Sequence, residues 1–224
     1  WNTLVENLEV STSQITQNGS LLKTSLVREV AAKESKKRIA SGDAQLDTVL
    51  GGGFVQGSVV LLAGQPGIGK STLLLQIAHD VAVHAETLYV SGEESAHQVA
   101  SRAERLHKTK SELKLASSTV ADDIARTIAS GEFKVVVVDS IQTVACNDIS
   151  SAAGSISQIT NSTHMLTQAA KAHDTTLIIV GHVTKEGSIA GPKVLEHIVD
   201  VVLQLEGDRY GGFKVLRAIK NRFG

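Results

Sequence analysis

Short apolar runs separated by glycine-rich and polar clusters alternate along this chain with stretches whose apolar residues recur at helical spacing. The runs Ser58–Ala63, Thr87–Ser91, Val135–Asp139, Thr176–Gly181, Val199–Leu205 and Lys214–Ile219 predict strands. Val135-Val136-Val137-Val138 is apolar at every position, not at alternate ones, which is the pattern of a strand buried on both faces of a parallel sheet. Apolar residues at 74, 77, 78 and 81 predict a helix after the first of these strands, and Gly154–His173 is the longest helical pattern. Val144–Ala153 and Val183–Lys193 read as loops, the first of small residues and the second of glycine, serine and charge. Strand and helix in alternation define an α/β core, a mostly parallel, twisted sheet flanked by helices. Residues 1–33 show no sustained period and read as an N-terminal arm or linker, which leaves 34–224 as the α/β domain. At its start a charged patch, Arg28–Arg38, gives way to Ile39–Val49 and then to the turn-forming Gly51-Gly52-Gly53 and Gly57.

Composition narrows this picture modestly. A chain of 224 residues with 42% hydrophobic and 20% charged content matches one soluble α/β domain with an extension. No apolar run reaches the length of a membrane span and the first thirty residues lack a signal-peptide pattern, so the expectation is a cytoplasmic protein without a membrane partner. A single cysteine, Cys146, makes neither an internal disulfide nor a zinc site and reads as a small, half-buried side chain in a reducing compartment. The formal charge of -1 gives no overall signature of nucleic-acid binding, and 3% aromatic residues offer little for base stacking, so any such contact must be local.

The chemistry begins at Gly64-Gln65-Pro66-Gly67-Ile68-Gly69-Lys70-Ser71, which fits the phosphate-binding pattern G-x-x-x-x-G-K-[ST] between a predicted strand and a predicted helix. Gly64, Gly67 and Gly69 allow a tight turn whose N–H groups point at phosphate oxygens, and the helix opening through Lys70, Ser71 and Thr72 adds the positive end of its dipole. Lys70 has the reach for the terminal phosphates of ATP, and the Ser71 hydroxyl is placed to hold a phosphate-bound Mg²⁺.

Ligands of a parallel α/β sheet bind beyond the carboxyl ends of its strands, which makes three further positions candidates. Asp139 closes Val135–Val138 as the carboxylate that holds Mg²⁺ through its water shell, with a turn-capping Asp as the alternative. Thr87–Ser91 ends in Gly92-Glu93-Glu94-Ser95, where Glu93 is the preferred general base for an attacking water; Ser95 is also a natural helix cap, and one of the two glutamates then serves only as a solvated side chain. His182, closing the strand through Val180, is a candidate contact to the terminal phosphate or else a structural histidine.

These residues taken together resemble the bacterial RadA/Sms family of DNA-repair ATPases within the RecA superfamily. The resemblance runs from about Arg38 to Gly224. It is carried by Leu50-Gly51-Gly52-Gly53, the phosphate loop, Tyr89-Val90-Ser91-Gly92-Glu93-Glu94-Ser95, Val138-Asp139-Ser140-Ile141-Gln142, Val180-Gly181-His182-Val183-Thr184-Lys185, Gly191-Pro192-Lys193-Val194-Leu195-Glu196-His197 and Lys220-Asn221-Arg222-Phe223-Gly224. It implies a RecA-like phosphate-loop core, a homo-oligomeric, hexameric ring, a DNA-stimulated motor similar to DnaB-type helicases that drives branch migration on single-stranded or branched DNA, and a RecA-type recombinase as partner. It further implies that loops near 144–156 and 184–193 face DNA, with Lys185 and Lys193 as their basic residues, and that Lys220 and Arg222 reach a neighbour's terminal phosphate as an arginine finger does. Members of that family carry a four-cysteine zinc finger before a Trp-Asn-Thr-Leu-Val-Glu-like segment and a Lon-protease-like domain after the pentapeptide. This chain begins at Trp1-Asn2-Thr3-Leu4-Val5-Glu6 and is expected to be the motor alone. It departs from the family's Gln-Val-Arg-Glu at Gln158-Ile159-Thr160-Asn161, which removes a positive charge near the expected channel.

Two other readings share the phosphate loop and Asp139. One is a kinase or transferase acting on a small molecule, which would need an arginine-bearing lid; Arg102, Arg105 and Arg126 lie between the motifs, on stretches where solvated helix faces explain them. The other is a slow regulatory ATPase. ATP turnover with and without single-stranded DNA separates the three.

Overall fold

The computed structural model describes residues 24–29, 37–108, 112–182, 194–207 and 212–224. The chain divides into two units, Trp1–Ser35 and Lys36–Gly224. Most of the arm expected over 1–33 lies outside the described residues; in the part that is described, the Glu29 amide donates to the Leu26 carbonyl in a single turn.

The second unit carries the α/β architecture. It opens on a small antiparallel ribbon of β1 (Arg38–Ile39) and β2 (Phe54–Val55) with α1 (Ala44–Leu50) between them. Asp43 caps α1 by accepting from the amides of Gln45 and Leu46, and Gly51 ends it in the left-handed region at φ 77°. The main chain of elements follows: β3 (Val59–Gly64), α2 (Lys70–Val81), β4 (Thr87–Ser91), α3 (Ala96–Arg105), β5 (Lys114–Ser117), α4 (Ala121–Ala129), β6 (Val135–Asp139), a 3-10 turn (Ile141–Thr143), α5 (Ile156–Ala172), β7 (Thr176–His182), α6 (Val194–Ile198), β8 (Val201–Gly207) and β9 (Lys214–Asn221).

Seven strands form one sheet in the order β5-β4-β6-β7-β3-β8-β9, parallel throughout except for β9, which runs antiparallel to β8. β3 occupies an interior position between β7 and β8, and all six of its residues are buried. Successive residues of the central strands face opposite ways. Leu61, Val136, Val138, Leu177 and Ile179 pack with Ile124, Ile128 and Leu166 of α4 and α5, while Val60, Leu62, Val135, Val137 and Ile178 pack with Leu74, Leu75, Ile77 and Val81 of α2 and with Leu46 of α1. Removing each such side chain from water contributes roughly 1.5–3 kcal/mol, so the core on both faces fixes the level at which the strands end. The sequence-based strands agree with β4 and β6 to the residue and with β3, β7, β8 and β9 within two residues. The four-residue β5 and the helix α1 were not among the expected elements. Among the described residues no helix is long and apolar enough to cross a membrane.

Candidate nucleotide-binding site

The parallel register brings the carboxyl ends of four adjacent strands to one edge. Gly64 of β3 pairs with His182 of β7, and Ser91 of β4 pairs with Asp139 of β6. The turn from β3 into α2 needs its glycines for stated reasons. A Cβ on Gly64 would come to 2.8 Å from the Leu205 carbonyl oxygen of β8, and Gly67 and Gly69 hold φ of 76° and 105°, which a side chain opposes. Gly69 is the N-cap of α2 and supplies no side-chain cap, so the first amides of that helix are left to the loop. Gln65, Pro66 and Ile68 complete the turn; the Ile68 amide donates to the Gln65 carbonyl at 3.3 Å. Ser71 and Thr72 lie on the first turn of α2, as the motif requires.

Lys70 is 4% exposed, and its ammonium donates to the carbonyls of Gly64 at 2.9 Å and Gln65 at 3.0 Å. The Nδ1 atom of His182 is 3.1 Å away. An ammonium has no acceptor, so Nδ1 receives its third hydrogen bond and the histidine proton sits on Nε2. Nε2 lies 3.7 Å from Oε1 of Glu93, which also accepts from Oγ of Ser140 at 2.6 Å. Burial holds the Lys70 pKa below the usual lysine range, against the opposing pull of Asp139 and Glu93. Two carboxylates, a histidine and a lysine are thereby assembled across β3, β4, β6 and β7.

Asp139 is buried, and one of its carboxylate oxygens accepts from the Tyr89 hydroxyl at 2.5 Å. Burial and the adjacent Asp139 charge push the Tyr89 phenol far above its ordinary range, so it remains a donor. The hard oxygens of Asp139 and Ser71 suit Mg²⁺; among the described residues no group of three or more His, Cys, Asp or Glu gathers around a metal position, and a magnesium ion there would take its other ligands from phosphate and water.

The paired glutamates are separated by their contacts. Glu94 is engaged by Nη2 of Arg102 at 2.6 Å, while Glu93 faces Ser140 and His182. Arg102 is therefore committed to Glu94, with only 15% of its side chain exposed, and is not the solvated residue the sequence indicated. Ser95 does cap α3, in a reciprocal capping box with Gln98. Cys146 is fully buried, not half-buried, with its amide donating to Oε1 of Gln158 at 2.9 Å; Nε2 of Gln158 holds the carbonyls of Ile149 at 2.8 Å and Ser151 at 3.0 Å, so α5 anchors the 144–153 loop.

The remaining expected site residues lie elsewhere. Lys220 donates to the carbonyls of Glu196 at 2.5 Å and Val199 at 2.7 Å, and Nη1 of Arg222 lies 3.2 Å from Oδ1 of Asp200. Burial first, and then the neighbouring Arg222 charge, lower the Lys220 pKa. Asp200 went unnoticed in the sequence. Its carboxylate is 6% exposed and also takes the Val59 amide at 3.1 Å and Lys171 at 3.0 Å. Because β9 is antiparallel, this cluster sits at the amino end of β3 and β8, away from the phosphate loop; the eight residues of β9 span roughly 25 Å at about 3.3 Å each. Lys185 and Lys193 lie outside the described residues.

A mostly parallel sheet, a phosphate loop between β3 and α2, and carboxylates at the ends of β4 and β6 define a phosphate-loop nucleotide-binding domain of the RecA-like kind. The chain belongs to the AAA domain family, which matches residues 27–188. It is similar to the DNA repair protein RadA of Aquifex aeolicus, 47% identical over 228 residues covering 100% of this chain and 50% of that protein. It is also similar to the DNA repair protein RadA of Campylobacter jejuni, 49% identical over 188 residues, 84% of this chain and 42% of that protein. The Bacillus subtilis protein of the same name is 45% identical over 233 residues, 100% and 50% of the two chains. These matches bear out the RadA/Sms resemblance read from the motifs. The chain spans about half the length of the curated relatives it matches.

Proposed function

We propose that this domain hydrolyses ATP with Mg²⁺ and serves DNA repair as the motor of a ring that moves on single-stranded or branched DNA. One observation carries the hydrolytic part: Glu93 is held by Ser140 beside His182, which touches the loop lysine, Lys70. Lys70 offsets charge developing on the terminal phosphate, Asp139 and Ser71 hold the metal, and Glu93 orients and deprotonates the attacking water. His182 bridges Lys70 and Glu93, so a phosphate that draws Lys70 toward itself changes what holds the base.

The ring part is supported by Lys220 and Arg222, which lie at the far end of the sheet from their own loop and so do not serve their own nucleotide; in a head-to-tail assembly they would exchange their contacts to the Glu196 and Val199 carbonyls and to Asp200 for a neighbour's terminal phosphate. The DNA part rests on the relatives, which are DNA repair proteins by name; Lys185 and Lys193 as DNA-contacting cations, a RecA-type recombinase as partner and a cytoplasmic location belong to the same reading. The test is ATP turnover by the full-length protein with and without single-stranded DNA. Turnover that rises with DNA is expected. Phosphate transfer to a small hydroxyl compound, or turnover indifferent to DNA, would overturn the motor reading.

A further inference from the structure

The phosphate loop has a second cation on its opposite flank. Lys214 opens β9 opposite Gly207, the last residue of β8, so the two strands meet beside the loop. They approach it closely: a Cβ on Gly207 would lie 2.6 Å from Cδ1 of Ile68, and a Cβ on Gly69 would lie 2.8 Å from Nζ of Lys214. The ammonium thus stands over the uncapped N-terminus of α2, one residue from Lys70. Among the described residues no carboxylate pairs with it. Lys214 is exposed, so solvent screens it from Lys70, and an anion seated on the helix N-terminus between the two would be drawn by both cations.

The order of strands says which part of a nucleotide that anion is. Lys70 touches His182 and feels the charges of Asp139 and Glu93 on the side of β3 that carries β7, β6 and β4, which is where a terminal phosphate belongs. The inner phosphate and the nucleoside then extend toward β8 and β9. On that side a cavity of about 610 Å³ opens, lined by Gly69, Thr72, Leu73, Gln76, Lys214 and Leu216 among others. Its size and its mix of apolar walls with a few polar groups suit a nucleoside.

We propose that Lys214 is a ligand of the inner phosphate of the nucleotide bound in its own subunit, with the nucleoside seated in this cavity. The inference rests on the reading of the loop as a nucleotide site. The test is equilibrium binding of Mg-ADP and Mg-ATP, followed by calorimetry, to the full-length protein, with ATP binding measured in a Glu93→Gln background that does not consume it. Lys214→Met keeps the apolar stem and removes the charge; it weakens ADP and ATP by the same factor, about tenfold, the loss of one charge-assisted hydrogen bond. Lys214→Arg retains affinity. A folded Lys214→Met protein with unaltered affinity for both nucleotides would overturn the proposal, as would a loss confined to ATP, which would place the lysine at the terminal phosphate. A parent protein that binds neither nucleotide would instead overturn the reading of the loop.

Discussion

Glu93 and Glu94 are adjacent and chemically identical, and their surroundings give them different tasks. Glu94 is held by Arg102 and supports the start of α3, while Glu93 is aimed by Ser140 toward His182 and Lys70. Glu93→Gln should keep ATP binding and slow hydrolysis by roughly 10²-fold or more, the loss of a general base. Glu94→Gln weakens one ion pair and should leave turnover within a few-fold of the parent. Single-turnover kinetics on the two variants checks the assignment, and the reverse result would transfer the base to Glu94. Lys70→Ala should abolish turnover, because developing charge on the transferred phosphate loses its cation. Circular dichroism should show the fold intact, since the loop's glycines, not its lysine, set the backbone.

Strand ends place these groups, and small clearances at the strand ends keep them there. A Cβ on Gly92 would lie 2.1 Å from Oγ1 of Thr143, so Gly92→Ala must turn that hydroxyl off the Ser140 carbonyl it bonds or shift the segment that carries Glu93, and either change disturbs the contact between Ser140 and Glu93. A fall in turnover of at least tenfold with ATP affinity largely kept is expected, and Thr143→Ala, which removes the clashing hydroxyl, should restore part of it. Asp200 plays the corresponding part at the other end of the sheet. Asp200→Ala leaves the Val59 amide without its acceptor and two cations without their anion; with Lys171 and Arg222 half-exposed, the expected loss is about 1–3 kcal/mol in urea unfolding. Legibility followed burial. β3, β4, β6 and β7 showed in the sequence because strands buried on both faces need largely apolar runs, and the polar residues that follow or close β4, β6 and β7, Glu93, Asp139 and His182, stood out against those runs. β5 did not show because Lys114-Leu115-Ala116-Ser117 lies at a half-exposed sheet edge and has no such run. Asp43 and Gly51 bracket α1 with an N-cap and a left-handed stop, a local signal that the sequence does carry. Asp200 and Lys214 were out of reach, since their meaning depends on β9 folding back along β8, a pairing that no local pattern records.

In the folded domain, the phosphate loop with Lys70 and the Lys220–Arg222 segment occupy opposite ends of one sheet. That segment is tied down: Arg38 donates to the Phe223 carbonyl at 2.8 Å and Asn221 to the Leu50 carbonyl at 3.3 Å, so the glycine-rich turn after α1 and the closing pentapeptide form one packed corner. If Arg222 serves a neighbour, mixing two inactive proteins, Lys70→Ala and Arg222→Ala, should restore ATPase activity at intermediate ratios, because some interfaces then join an intact loop to an intact finger. Rings shown to exchange subunits without recovering activity would confine Arg222 to its own chain. The place of β3 in the sheet also governs how the molecule comes to exist. Its two partners, β7 and β8, begin more than a hundred residues further along the chain. During synthesis a wholly apolar strand therefore waits unpaired until nearly the whole domain has been made, and the closure of so long a loop makes folding slow. Chains halted before Thr176 should associate through that strand, and pulse-labelled hydrogen exchange should find the β3 amides protected among the last.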